Sequence, residues 1–325
     1  MKVSVVLATY NGEKYLQEQL DSLLKQTRQP DELIITDDAS TDKTIEIIEK
    51  FKINCPFHVH LHQNDNNLGY KLNFTNAVQI ASGDVIFYCD QDDVWFNNKI
   101  EVVLNDLMQK PDILCVTNNV KVIGEGVSID SYFTFLEVNG SDVDRFVKGC
   151  ATAFTSEAKA ILFQEQPAFG WAHDDWVNFC SSLLGRRYIE HEVLQEYRLH
   201  GENASALIEK EKNALFKWMR HRRDSNNNQS KSCLDVIRYI SPPRINGLES
   251  WAAKVEPRLV NQTSRNNIIN AINKKNINYR LRENISHQSV GKMLRAIVNI
   301  VSFKNYYLFD GILDYLLSIR YGLRR

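Results

Sequence analysis

Glycine and proline are scarce in this chain, 14 and 7 of its 325 residues. Together with 43% hydrophobic and 24% charged residues, that scarcity excludes collagen-like, low-complexity and largely disordered classes. Net charge is nearly absent too, at −1, so no bulk field attracts a nucleic acid. The six cysteines, at 55, 89, 115, 150, 180 and 233, form no Cys-x-x-Cys pair. Most lie in apolar stretches such as 85–89 and 113–116, and they read as small buried hydrophobes in a reducing compartment rather than disulfide or zinc partners. No window reaches the roughly 18 charge-free apolar residues of a membrane span. The first apolar run, residues 3–8, is too short for a signal peptide. The expected location is cytoplasmic, or peripheral on the cytoplasmic face of the inner membrane.

The small net charge conceals a split. Residues 201–325 hold 22 basic and 10 acidic residues, whereas residues 1–200 hold 17 and 30. The two parts therefore face different partners.

Residues 3–8 are continuously apolar, as in a strand covered on both faces. Leu16, Leu20, Leu23 and Leu24 then follow at helical spacing over 13–25. A second strand at 33–35 precedes Ser40-Thr41-Asp42, which offers caps to a helix carrying Ile45, Ile47, Ile48 and Phe51. A weaker strand at 57–61, a helix over 70–81, a strand at 85–89, a helix over 96–108 and a strand at 113–117 continue the alternation. Such an order implies an α/β fold with a doubly wound, mostly parallel sheet. Beyond about residue 120 the pattern fades into short strands and loops. Residues 224–231 are a polar break. Two apolar stripes close the chain: Val290, Met293, Leu294, Ile297, Val298 and Val301, then Leu308, Phe309, Ile312, Leu313, Leu316 and Leu317.

Open α/β sheets bind ligands outside the carboxyl ends of their strands. Thr9-Tyr10-Asn11-Gly12 follows the first strand, Asp37-Asp38-Ala39-Ser40-Thr41-Asp42 the second, and Asp90-Gln91-Asp92-Asp93 the fourth. The glycine-rich phosphate loops G-x-G-x-x-G and G-x-x-x-x-G-K-[ST] are missing. Carboxylates repel a diphosphate, yet they hold Mg²⁺ or Mn²⁺, hard cations that bridge phosphates and neutralise a departing diphosphate. Alternate residues of an extended segment point the same way, so Asp90 and Asp92 suit that task. Asp38 can accept from a base N–H. Asp42 reads as an acid in the first turn of a helix. The plainer alternative makes all of these carboxylates solvated turn and cap residues.

Four blocks carry a resemblance: residues 4–12 (Ser-Val-Val-Leu-Ala-Thr-Tyr-Asn-Gly), Asp37-Asp38-x-Ser40-x-Asp42, Asn67-x-Gly69-x-x-x-Asn73, and Asp90-Gln91-Asp92-Asp93-Val94-Trp95. In order and spacing they resemble glycosyltransferase family 2, over residues 3 to about 100 and more weakly to about 205. The last block is most similar to rhamnosyltransferase-like members of bacterial O-antigen, lipopolysaccharide and capsule synthesis. The resemblance implies the GT-A fold, a doubly wound mixed sheet, and inverting, metal-dependent transfer from a nucleotide sugar. It implies that Thr9, Tyr10, Asn11, Gly69 and Asn73 line the nucleotide pocket, that Asp38 or Asp37 holds a pyrimidine base (UDP or dTDP), and that Asp90 lies near the ribose. Asp92 becomes the main ligand of Mn²⁺ or Mg²⁺, with Asp93 left open. His173-Asp174-Asp175-Trp176 stands where relatives carry the catalytic base, which makes Asp174, or alternatively Asp175, that base; helix-capping acids are the other reading. Gly149 and Cys150, with Trp176, match the acceptor side, although Gly149-Cys150-Ala151 also reads as a tight turn into a strand. Tyr197-Arg198-x-His200-x-x-Asn203 resembles the closing motif, with His200 a metal ligand or a diphosphate contact.

The expected organisation is a catalytic domain over 1–206 and a basic, mainly helical extension over 207–325. That extension either docks on anionic inner-leaflet lipid beside a lipid-linked acceptor or packs its stripes together. Two rival functions share parts of the pattern. A haloacid-dehalogenase-like phosphohydrolase uses Asp-x-Asp after an apolar strand, but at its first strand. A non-catalytic nucleotide-sugar-binding protein would need neither the base nor the acidic pair.

Overall fold

Residues 1–124, 126–138, 143, 148–163, 171–200, 248 and 251 are described by the structure, a computed structural model. The polar break at 224–231, both C-terminal apolar stripes, Asn203 and Cys233 lie outside the described residues. The chain divides into two units, Met1–Gln229 and Ser230–Arg325.

The sheet grows from its most apolar strand. β1 (Val3–Thr9) lies between β2 (Glu32–Asp37) and β4 (Val85–Asp90) and runs parallel to both. β3 (His58–Gln63) pairs in parallel outside β2. Both faces of this parallel part are covered, which is why β1, β2 and β4 read as unbroken apolar runs. Val3, Val5, Leu7, Leu33, Ile35, Val85, Phe87 and Cys89 share one buried cluster with α1 (Leu16–Leu24), α2 (Thr44–Asn54) and α4 (Lys99–Gln109). Val6, Ile34 and Tyr88 are buried on the other face. There α3 (Tyr70–Ile80) sets Phe74 edge-on to Tyr88, with ring centres 5.4 Å apart.

Beyond β4 the sheet becomes mixed. Its order is β3-β2-β1-β4-β8-β6-β9-β5. β8 (Thr152–Thr155) is antiparallel to both β4 and β6 (Cys115–Gly124), and β9 (Arg187–Leu199) returns parallel to β6. β5 (Val94–Trp95) pairs with β9, and β7 (Val127–Ile129) pairs with β6. The mixed sheet implied by the family resemblance is thus present, and the mostly parallel order read from the alternation holds only for β1–β4. The strand expected at 113–117 extends to Gly124 as β6, and the thirteen-residue β9 falls where only short strands were expected. β9 mixes charged and apolar residues without a regular period and is half-buried for most of its length, so it lacks the apolar signature of β1. α5 (Tyr132–Val138), α6 (Ser156–Leu162), α7 (His173–Leu183) and a single 3-10 turn at Gly149–Ala151 complete the described elements. A second cluster of Val120, Val122, Phe133, Cys150, Ala151 and Tyr197 ties that turn to β6 and β9. Among the described residues no helix is long and apolar enough to cross a membrane. The five described cysteines are free, and all but Cys55 are buried.

Leu7 is fully buried in the central strand. Leu7→Ala should lower unfolding free energy by about 2–5 kcal/mol. Denaturant titration checks this, and a loss below about 1 kcal/mol would contradict the packing described.

Candidate active site

The parallel strands end on one edge, where their loops are sewn together by side chains. Asp37 and Asp38 are both buried. Asp37 accepts from the Thr9 hydroxyl at 2.8 Å and from the backbone N–H and hydroxyl of Ser40 at 2.9 and 2.6 Å. Asp38 accepts from Asn64 Nδ2 at 3.0 Å and from the backbone N–H groups of Leu68 and Gly69 at 2.7 and 2.8 Å. Asn73 Nδ2 donates to the Thr36 carbonyl at 2.8 Å, and its Oδ1 accepts from Asn64. Asn11 adopts φ 46°, a left-handed conformation that asparagine tolerates. Its Oδ1 accepts from the Thr41 N–H, and its own N–H donates to Ser40 Oγ. Gln91 clamps the first loop to the acidic loop by donating to the Tyr10 carbonyl and accepting from the Tyr10 N–H, both at 3.0 Å. A Cβ on Gly12 would crowd the Gln91 side chain, which would have to leave this clamp.

Asp90, Asp92 and Asp93 crowd the end of β4. Residues 91 and 92 form a turn, not the extended segment expected, so Asp90 and Asp92 do not simply share one side. Ligand atoms of Asp90, Asp93 and Cys150 lie within 4.8 Å of one another. Asp92 Oδ2 is 2.7 Å from His200 Nε2. Burial first, then the Asp92 charge, pushes Asp93 up to about 7. Burial, then Asp93, Asp92 and Asp174, raises Asp90 well above the usual carboxylate range. Asp93 is nonetheless well held. It accepts from Gln195 Nε2 at 3.0 Å, from the Arg198 N–H at 3.1 Å and from the Cys150 thiol. Burial keeps that thiol protonated. Behind them Lys99, fully buried, donates to the Cys150 carbonyl at 2.6 Å and to Gln195 Oε1, and its Nζ lies 4.0 Å from the Trp95 ring centre. Burial lowers Lys99 to about 8.

These donors suit a hard divalent cation. Asp92 and His200 offer an oxygen and an imidazole ligand 2.7 Å apart, and mutual repulsion of the neighbouring carboxylates is what a cation would relieve. Asp93 is engaged by β9 and by Cys150, and serves as a brace for the acidic turn.

The other half of the site comes from α7. Asp174 and Asp175 stand in its first turn, and Asp174 Oδ1 accepts from the Asp175 N–H at 2.9 Å. Asn178 donates to the Asp174 carbonyl and to Thr152 Oγ1, anchoring the turn to β8. A Cβ on Gly149 would come within 3.1 Å of His173 Nε2 and 3.5 Å of Asp174 Oδ2. Gly149 therefore leaves room for the His173 ring, and the Asp174 carboxylate lies beside it at ordinary contact distance. The structure brings Asp174 to the acidic cluster across more than eighty residues of sequence. Trp176, expected on the acceptor side, is instead buried in packing, with Nε1 donating to the Leu162 carbonyl at 2.8 Å. The 3-10 turn at Gly149–Ala151 leads into β8, as a tight turn into a strand, and its first residue lies beside Asp174. The pattern reading missed Asn64, Gln91, Lys99, Gln195 and Arg198. Arg198 donates from Nε to the Asp92 carbonyl and from Nη2 to Glu18.

His173 sits in an aromatic box, stacked on Phe74 at 4.0 Å and edge-on to Tyr88 at 4.7 Å. Burial lowers it to about 4 from 6.5. The unfolded chain therefore binds the proton that the fold refuses, and stability is lost as pH falls from about 6.5 to 4. Relative to His173→Phe, the wild type should lose on the order of 2–3 kcal/mol across that range. Parallel denaturant titrations check this, and parallel pH profiles would contradict it.

The profile of Glycosyl transferase family 2 matches residues 4–167, half of the chain. The chain is similar to the dTDP-rhamnosyl transferase RfbG of Shigella flexneri, at 27% identity over 61% of this chain and 72% of that protein. It is also similar to the putative teichuronic acid biosynthesis glycosyltransferase TuaG of Bacillus subtilis, at 26% identity over 63% and 81%. Among solved structures, the mannosyltransferase PcManGT of Pyrobaculum calidifontis, in complex with GDP-Man and Mn²⁺, shares the fold. Its TM-score is 0.53 at 17% identity, over 98% of this chain and 85% of that one.

Proposed function

The chain belongs to glycosyl transferase family 2 and is a glycosyltransferase with the GT-A fold, and from that premise we propose that it transfers a sugar, with inversion, from a UDP- or dTDP-sugar to a hydroxyl of a glycan acceptor in bacterial surface polysaccharide synthesis. One observation carries the reading: the Asp174 carboxylate lies beside Gly149, and the next residue, Cys150, meets Asp90 and Asp93 at the end of β4. A proton acceptor and a cation site then share one pocket. The similarity to RfbG supports a pyrimidine diphosphate donor, and the similarity to TuaG supports a polysaccharide acceptor.

Asp38 keeps acceptor capacity on Oδ2 for a base N–H. Thr9, Tyr10, Asn11, Gly69 and Asn73 line the nucleotide pocket, and Asp90 stands near the ribose. Asp92 and His200 would hold Mn²⁺ or Mg²⁺, which when bound neutralises charge on the departing diphosphate. Asp174 accepts the proton of the acceptor hydroxyl. That oxygen attacks the anomeric carbon from the face opposite the nucleotide. Gly149 and Cys150 border the acceptor side.

The catalytic domain spans 1–206, and residues 207–325 form the basic extension. Their basic excess supports residence near anionic lipid, beside a lipid-linked acceptor.

Positioned general-base catalysis is worth ~10²–10⁴-fold. Asp174→Asn should lose transfer by about that factor while donor binding survives; full activity would remove Asp174 from the role. Asp92→Ala should abolish the metal dependence of donor binding in calorimetric titration with Mn²⁺, and an unchanged affinity would refute the ligand assignment.

A further inference from the structure

Away from this site, β3 carries a pattern with its own chemistry. Its sequence is His58-Val59-His60-Leu61-His62-Gln63. Successive side chains of a strand point to opposite faces. Val59 and Leu61 pack against the buried core, which pins the backbone. His58, His60 and His62 are all exposed on the opposite face. β3 stands at the end of the strand order with β2 as its neighbour.

Residues two apart on a strand face are about 6.5–7 Å apart along the chain axis. Two imidazoles at that spacing reach a common ion by side-chain rotation, since metal–nitrogen bonds are about 2.0–2.1 Å. Across the strand, His58, His60 and His62 stand opposite Glu32, Ile34 and Thr36 of β2. None of these three offers a competing partner. Glu32 is held by Ser4, Ser82 and Lys2, Ile34 is apolar, and Thr36 donates to the Asn73 carbonyl. Among the described residues no hydrogen bond or ion pair engages any of the three imidazoles.

We propose that the exposed face of β3 is a second metal site, a bis-imidazole chelate for a borderline transition ion such as Ni²⁺, Zn²⁺ or Cu²⁺. Imidazole favours these ions over the hard Mg²⁺ of an oxygen site. The three histidines make two overlapping chelates, His58–His60 and His60–His62, which share His60. One ion binds at a time, and His60 belongs to both arrangements.

That sharing sets the test, a calorimetric titration of Ni²⁺ into the full untagged chain. His60→Asn leaves two imidazoles too far apart to chelate and should weaken this site about tenfold or more, whereas His58→Asn or His62→Asn removes one of two equivalent chelates and should weaken it only about twofold. Asp92→Ala, in the other site, should leave it unchanged. If His60→Asn fails to fold, the double variant His58→Asn/His62→Asn removes both chelates and should show the same tenfold loss. A variant lacking both chelates that binds Ni²⁺ within twofold of wild type overturns the proposal, as does a wild type whose nickel site is lost in Asp92→Ala.

Discussion

Three carboxylates at the end of one buried strand are the constraint around which the remaining site is organised. Asp90, Asp92 and Asp93 repel one another in a place where burial already disfavours charge. The structure answers with neutral and cationic groups drawn from distant segments. Gln195 and the Arg198 N–H hold Asp93, Cys150 donates its thiol, and His200 faces Asp92. Lys99 lies behind, joined to both Gln195 and the Cys150 carbonyl. A buried lysine is rare unless partnered, and its partners here are the two groups that reach Asp93. The amide of Gln195 thus links a buried cation to a buried carboxylate.

That arrangement explains why the mixed half of the sheet exists in this form. β9 must run beside β6 to deliver Gln195, Arg198 and His200 to the acidic turn, and the 3-10 turn at Gly149–Ala151 must approach closely enough for Cys150 to reach Asp93. The same turn sets Gly149 against Asp174. The acidic turn and the Asp174 carboxylate are therefore joined through the backbone of one short turn.

The parallel half was legible from the chain alone, because fully covered strands leave continuous apolar runs and their ends carry the polar residues. Asp37, Asp38 and the Asp90–Asp93 block stood out for that reason, and Asp174 stood out by family resemblance. What could not be read depends on contacts without local periodicity. Lys99 and Gln195 are almost one hundred positions apart, and nothing in the residues around either signals the other. β9 hides because its charged and apolar residues follow no regular period on a half-buried surface. The turn at 91 and 92 breaks the alternation that would have set Asp90 beside Asp92. Trp176 was misplaced because an aromatic following two acids suits an acceptor platform as well as a buried helix face, and only the packing against Trp171 and Leu162 separates the two.

The central claim is that the acidic turn joins a divalent cation to a pyrimidine nucleoside diphosphate. The most direct measurement is thermal unfolding of the wild-type chain with UDP, dTDP and GDP, each with and without Mn²⁺, because a ligand that binds only the folded state raises its apparent stability. The account predicts a rise with UDP or dTDP that requires Mn²⁺. A rise that is equal without the metal, or one confined to GDP, would contradict it.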